Sequence, residues 1–342
     1  MRKAIYATAA IWLLIVATPL AQGEGPIDET RFALRQEFLR VINRDRTQFG
    51  LRPLELDTQV SVQADGYCRD QIRNRTTGHF TIDGQPPYMR YSMAGGNDGV
   101  SENAAAWSAT YGFSDRALYE MMKRSQSAMM AEIAPHDGHR RTILDPYATH
   151  VGIGLAWDRG EFRLTQEFIR RYIDWSRPLP RSAASGEHVV CTGRPRKGYE
   201  VAAISVHHES EPQALPPSVA NAINTYHLPP KRRDYLPRLR TFLQPDSNGR
   251  LREIREEYAD TGQQGDFRLG SDHGFAFAIP FTDGPGIYTV VVWVKKDGDS
   301  ATIPASNVSI RVTPSVASQT SPGADRGVSG ISALRSTASS PR

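Results

Sequence analysis

Apolar positions recur at helical intervals through the first half of the chain. From Asp28 to Phe49, the residues Phe32, Leu39, Ile42 and Phe49 are spaced to share one face, with Phe38 at its edge. Pro26 and Asp28 supply a helix start and Gly50 a stop. A second helix is predicted from about Asp57 to Arg75, with Val60, Ala64, Tyr67, Cys68 and Ile72 inward. The Gly-, Pro- and Asp-rich stretch from Thr76 to Val100 reads as a long loop. A third helix follows from Asp115 to Ile133, burying Leu118, Met121, Met122, Ser125 and Met129. Its methionines have core spacing and no neighbouring Cys or His that would make them a copper site.

The period then changes. Val151–Trp157 and Phe162–Phe168 read as strands joined at Asp158-Arg159-Gly160. Helices followed by a hairpin predict an α+β domain over residues 28–178. Pro178 to Gly186 has linker composition, placing a connector at 179–186. Beyond it, strand-like runs at His188–Cys191, Tyr199–His207, Phe275–Phe281, Ile287–Lys295 and Val308–Val312 predict an all-β domain over 187–314. Short strands separated by turns predict an immunoglobulin-like sandwich. The segment from Pro216 to Tyr258 fits that scheme poorly and reads as an insertion. Residues 315–342, rich in Ser, Thr, Ala, Gly and Pro, read as a disordered tail.

Composition narrows the setting. A net charge of +4 over 342 residues, with basic side chains scattered among acids, gives no nucleic-acid stripe, so no nucleic-acid partner is expected. Arg2 and Lys3, the apolar run Ala4–Ala17 and the small residues around Ala21 have the order of an export signal over residues 1–23. The run falls short of the roughly 20 residues a membrane span requires. A secreted or periplasmic location is therefore expected, with a retained signal anchor as the alternative to a cleaved signal. Export permits a bridge between the only two cysteines, Cys68 and Cys191; two separately buried thiols are the equal alternative.

Candidate chemistry lies in Gly78-His79-Phe80, Ser101-Glu102-Asn103 and Gly138-His139-Arg140. Two imidazoles and a carboxylate can hold a divalent metal, run acid–base chemistry, or form a structural hydrogen-bond network. Each has a plainer account alone. Ser101 could cap a helix with Glu102 in its first turn, and His139 could pack on Ile143 and Leu144. His136 and His139, three apart, are a further possible chelating pair.

Taken together, Asn43-x-x-Arg46, Gly50-Leu51-x-Pro53-Leu54-x-x-Asp57, Ala64, Gly78-His79, Glu102-Asn103, Gly138-His139-Arg140, Ile143-Leu144, Val151-Gly152-Ile153-Gly154 and Thr165-Gln166-x-Phe168 form an ordered set. The set resembles the CAP superfamily of cysteine-rich secretory, antigen 5 and pathogenesis-related proteins, in particular its bacterial secreted branch. The resemblance covers roughly residues 28–176. It implies an α-β-α sandwich around a central antiparallel sheet, and a cavity lined by two histidines and two acids. His79, Glu102 and His139 take three of those places. Glu120 and Glu132 are the candidates for the second acid, and His136 is a further cavity candidate. Ser101 stands where glycine is commoner. The resemblance implies binding of zinc or another divalent metal at His79 and His139, with a lipid or cell-envelope ligand as a further partner. The rivals are a metal-dependent hydrolase with Glu102 as general base, and an adhesion module. A shared ion requires imidazoles within about 8 Å of one another.

Overall fold

In the computed structural model, the described residues are 25–237, 241–255, 267–270 and 273–315. The export-signal segment 1–23 and the tail from 316 onward lie outside them. No described helix is long and apolar enough to cross a membrane.

The first domain runs α1 (Gly25–Gln48), β1 (Glu55–Leu56), α2 (Thr58–Asn74), α3 (Pro87–Met93), β2 (Gly99–Ser108), α4 (Asp115–Met130), α5 (Gly138–Ile143), β3 (His150–Trp157) and β4 (Glu161–Arg170). Its sheet has the order β1-β3-β4-β2, antiparallel except for the β1–β3 pair. Alternation in β3 sends Val151, Ile153 and Leu155 into an apolar core shared with α1 and α4. The other face carries Gly152 and Gly154 against α2. A Cβ on Gly154 would lie 2.5 Å from the Ala64 Cβ, so glycine is what lets α2 approach the sheet. α2 also satisfies the outer edge of β3: Ser61 Oγ and Asp65 Oδ1 accept from the Ile153 and Leu155 amides at 2.9 and 2.6 Å.

Two sequence expectations change here. The buried face of α1 is Leu34, Phe38, Val41 and Ile42, whereas Phe32 and Phe49 are about half exposed. Helical spacing admits several neighbouring faces, and the facing core selected another. Glu102 is not in a helix turn; Gly99–Ser108 is a strand, paired residue for residue with β4. Sheet pairing overrides the helix propensity of its alanine run.

The second domain begins earlier than linker composition suggested. β5 (Ile173–Arg177) pairs with β7 (Val189–Pro195), and β6 (Ser182–Ala184), inside the expected linker, runs parallel to β16 (Val308–Thr313). Leu179 and Ala183 are buried in this domain's core, so the segment is structural. The remaining elements are β8 (Tyr199–Glu209), α6 (Pro217–Ala222), β9 (Arg232–Tyr235), β10 (Thr241–Pro245), β11 (Leu251–Arg255), β12 (Arg268–Leu269), β13 (Phe275–Ile279), β14 (Gly286–Lys296) and β15 (Thr302–Pro304). A sheet β6-β16-β14-β8-β9, with β15 on β14, and a sheet β12-β13-β7-β5 share one apolar core; β10 and β11 form a separate hairpin.

Cys68 and Cys191 are both free and fully buried. Cys68 meets the Thr165 hydroxyl in the first domain; Cys191 lies in β7 beside the Phe277 carbonyl in the second. The possible disulfide is therefore absent, because each thiol belongs to a different core.

The two domains meet along the exposed edge of β2. There the Gly99 amide donates to Ala305 O at 2.9 Å, and Asn307 pairs with both the N–H and C=O of Val100 at 3.1 Å. Tyr88, Met89 and Val100 share an apolar cluster with Ile287, and Tyr226 and Leu228 pack against it. An edge strand that would otherwise leave its backbone groups unpaired is thus covered by the second domain.

A two-domain histidine–carboxylate cleft

His79 lies in the loop after α2, four residues beyond its left-handed C-cap Arg75. Gly78 has φ 82°, and its carbonyl accepts from Tyr67 Oη and Gln71 Nε2, each at 3.0 Å, so α2 fixes the loop that presents His79. The next link is β2. Glu102 is 2% exposed; its Oε1 accepts from His79 Nδ1 at 2.9 Å and its Oε2 pairs with the Arg90 guanidinium. Arg90, from α3, also donates to the His79 carbonyl at 3.0 Å and stacks over Tyr67, 3.4 Å from the ring centroid. Both Glu102 oxygens are therefore engaged.

His139 is held in the same manner by a different acid. Its Nδ1 lies 2.5 Å from Glu132 Oε1, and its backbone N–H donates to Glu132 Oε2 at 2.9 Å. Asn103, adjacent to Glu102, donates to the His139 carbonyl at 3.1 Å. Behind it, Gln166 accepts from Asn103, and Gln166 donates to Gln126. That ladder ties α5, β2, β4 and α4 together. The His79 and His139 ring centroids lie 6.4 Å apart.

A carboxylate can only accept, so each imidazole, in its neutral form, carries its proton on Nδ1 and leaves the lone pair on Nε2. That is the tautomer that binds a metal through Nε2. Two imidazoles on one tetrahedral zinc at 2.0–2.1 Å would place their centroids about 5.3 Å apart, about 1 Å closer than observed. The centroid spacing is thus within about 1 Å of what two imidazoles sharing an ion would need. Among the described residues no cluster of three His, Cys, Asp or Glu side chains forms a ready-made metal cage.

Beneath this pair lies a third carboxyl. Glu167 faces Glu102 across the β2–β4 pair and is 3% exposed. Burial pushes its carboxyl up to about 8; Arg90 opposes that shift, while Glu102 and Asp57 add to it. Arg90, 3.9 Å from Glu167, is the cation beside both acids, and its own pKa is raised because their attraction outweighs its burial.

The open cleft above has a volume of about 980 Å³. One wall comes from the second domain, in the stretch 224–227 between α6 and β9. Tyr226 packs edge-on against His79 at 4.9 Å, and its hydroxyl accepts from the Glu102 backbone N–H at 2.6 Å. Asn221 anchors the same segment, accepting from the Thr77 amide and donating to the Arg75 carbonyl at 2.7 and 3.2 Å. The insertion read from Pro216 onward therefore supplies part of the site.

His79, Glu102 and His139 come together as expected, and Glu132 is the acid on the second histidine. His136 is exposed and lines the cleft without joining the pair. Glu120 is a correction: it lies outside the cleft on an exposed face of α4, in an ion pair with Lys123 at 2.8 Å. It falls on a helix turn that looks outward, away from the sheet. Arg90, Glu167 and Tyr226 were not foreseen. Glu167 occupies the unassigned position of Thr165-Gln166-x-Phe168, and alternation within the strand read at Phe162–Phe168, which puts it on the face opposite Phe168, was the available signal for it.

The geometry is that of a three-layer α-β-α domain presenting two histidine–carboxylate pairs in an open cleft. Residues 39–168 match the family described as "CAP: Cysteine-rich secretory protein family", and this part of the chain is a CAP domain. Among solved structures, the chain is similar to an extracellular protein containing an SCP domain from Bacillus anthracis str. Ames. The identity is 23% over 40% of this chain and 40% of that one, with a TM-score of 0.32. The chain thus spans well under half the length of that protein. No curated protein matches the chain.

Proposed function

We propose that this is a secreted or periplasmic CAP-domain protein whose cleft binds a divalent metal ion, zinc or one like it, through Nε2 of His79 and of His139. One observation carries the reading: each imidazole is oriented through Nδ1 by its own carboxylate, Glu102 or Glu132, and the rings lie 6.4 Å apart. Carboxylate-oriented imidazoles are the usual support of a metal-bound histidine. When bound, the ion would supply a Lewis acid for oxygen ligands. The chain's own residues do the rest. Glu102 and Glu132 fix the tautomers, Arg90 holds Glu102 in place, and Tyr226 closes the wall beside His79. The cleft has room beside the ion for a lipid or cell-envelope ligand, which forms part of the proposal. We read the second domain as an immunoglobulin-like sandwich, on the support of two sheets over one core.

Hydrolysis with Glu102 as general base is disfavoured, because a base needs a free oxygen and both of its oxygens are taken. Zinc titration of the full chain tests the reading against a His79→Ala, His139→Ala variant. The wild type should bind one ion and the double variant none. Equal binding by both sinks the proposal.

A further inference from the structure

The Glu102 backbone N–H can only donate, so at 2.6 Å the Tyr226 hydroxyl oxygen must be the acceptor. That leaves the phenolic proton unassigned, and no acceptor for it is found among the described residues. A phenol, with an ordinary pKa of about 10, keeps its proton at neutral pH. The ring packs against His79, and Tyr226 lines the cleft together with Glu102 and His139. The site therefore presents two nitrogen lone pairs from the first domain and one O–H donor from the second.

We infer that Tyr226 is the second domain's ligand-contacting residue, donating its hydroxyl proton to an anionic oxygen, carboxylate or phosphate, of the molecule held beside His79 and His139. The inference rests on the metal-site reading for where the oxygen sits. A metal held by two imidazoles keeps positions for oxygen ligands, and a neighbouring O–H donor stabilises an anionic one. It also gives the insertion between β8 and β9 a role: the insertion is anchored at Asn221 and brings a donor into a cleft that the first domain leaves open.

Acetate and inorganic phosphate, titrated separately into the full chain with and without one equivalent of zinc, test this through the NMR shifts of the histidine rings. Wild type should bind one of the two probes, and the probe that binds identifies the oxygen group. Tyr226→Phe keeps the ring and should weaken that binding about tenfold, the loss expected for a hydrogen bond to a charged group. Asn307→Ala removes another cap on the same strand edge and serves as the structural control. It should lower the thermal midpoint but leave anion affinity within about twofold, inside the scatter of a remote site. Equal anion affinity in wild type and Tyr226→Phe overturns the inference, as does binding of neither probe in either state. An equal loss in Asn307→Ala overturns it too, because the effect would then be structural. A wild type that takes up no zinc but binds an anion through Tyr226 refutes the metal reading alone.

Discussion

Replacing Arg90 with methionine should be the most damaging single change near the cleft. The side chain is only 14% exposed; its guanidinium pairs with Glu102, donates to the His79 carbonyl at 3.0 Å and covers Tyr67. Methionine fills much of the volume but leaves Glu102, 2% exposed, without its cation. Breaking a buried pair in this way costs about 3–5 kcal/mol. The lost stacking on Tyr67 adds about 1 kcal/mol. Against a usual domain stability of roughly 5–15 kcal/mol, that is a large fraction. Urea unfolding of the full chain, followed by tryptophan fluorescence at pH 7 and again near pH 4.5, measures it. The deficit should shrink at the lower pH, because an unpaired buried carboxylate is relieved by taking up a proton. Arg90→Lys should fall between wild type and Arg90→Met, since it restores charge without the planar fork. A loss below about 1 kcal/mol at neutral pH in Arg90→Met would refute the view that this cation holds Glu102 in place.

Glu167 carries a pH signature of opposite sense to an ordinary ion-paired acid. Its folded pKa of about 8 exceeds the unfolded value of about 4.3, so the folded state holds the extra proton and stability falls as pH rises between those values. Glu167→Gln should flatten that slope, and an unchanged pH–stability profile would contradict the assignment. Gly154→Ala forces a Cβ to 2.5 Å from the Ala64 Cβ and 2.6 Å from its backbone carbon, so thermal unfolding should report a loss of about 1–3 kcal/mol or more. The thiols of Cys68 and Cys191 are each pushed up to about 12 by burial. Ellman's reagent should therefore react slowly with the folded chain and promptly with both after denaturation. A pair that reacts in the unfolded chain only after treatment with a reductant would contradict this.

Helix periodicity located α1, α2 and α4, and alternation located β3, β4 and the long strands of the second domain. It misplaced the buried face of α1, where Phe32 and Phe49 satisfy the spacing but lie outside the contact with the sheet. It also missed β2, because Glu102-Asn103-Ala104-Ala105-Ala106 has no β-branched residue and forms a strand only through its pairing with β4. The site was legible where it rests on ordered local words, as at His79, Glu102 and His139. Choosing Glu132 over Glu120 required knowing that the cleft lies past the C-terminal end of α4, while Glu120 sits within the helix on an exposed face. Tyr226 was beyond local reading altogether, since it meets Glu102 from 124 residues away and from another domain. The linker reading failed for a related reason: Ser182–Ala184 has loop composition but completes the edge of a sheet.

The divalent ion proposed between His79 and His139 is open to direct observation. X-ray absorption at the zinc edge, on the full chain loaded with one equivalent of zinc, tests it most directly. Two imidazole nitrogens at about 2.0–2.1 Å are expected, with oxygen filling the remaining positions, falling to one nitrogen in His139→Ala. Sulfur ligation, or a nitrogen count unchanged in that variant, would contradict it.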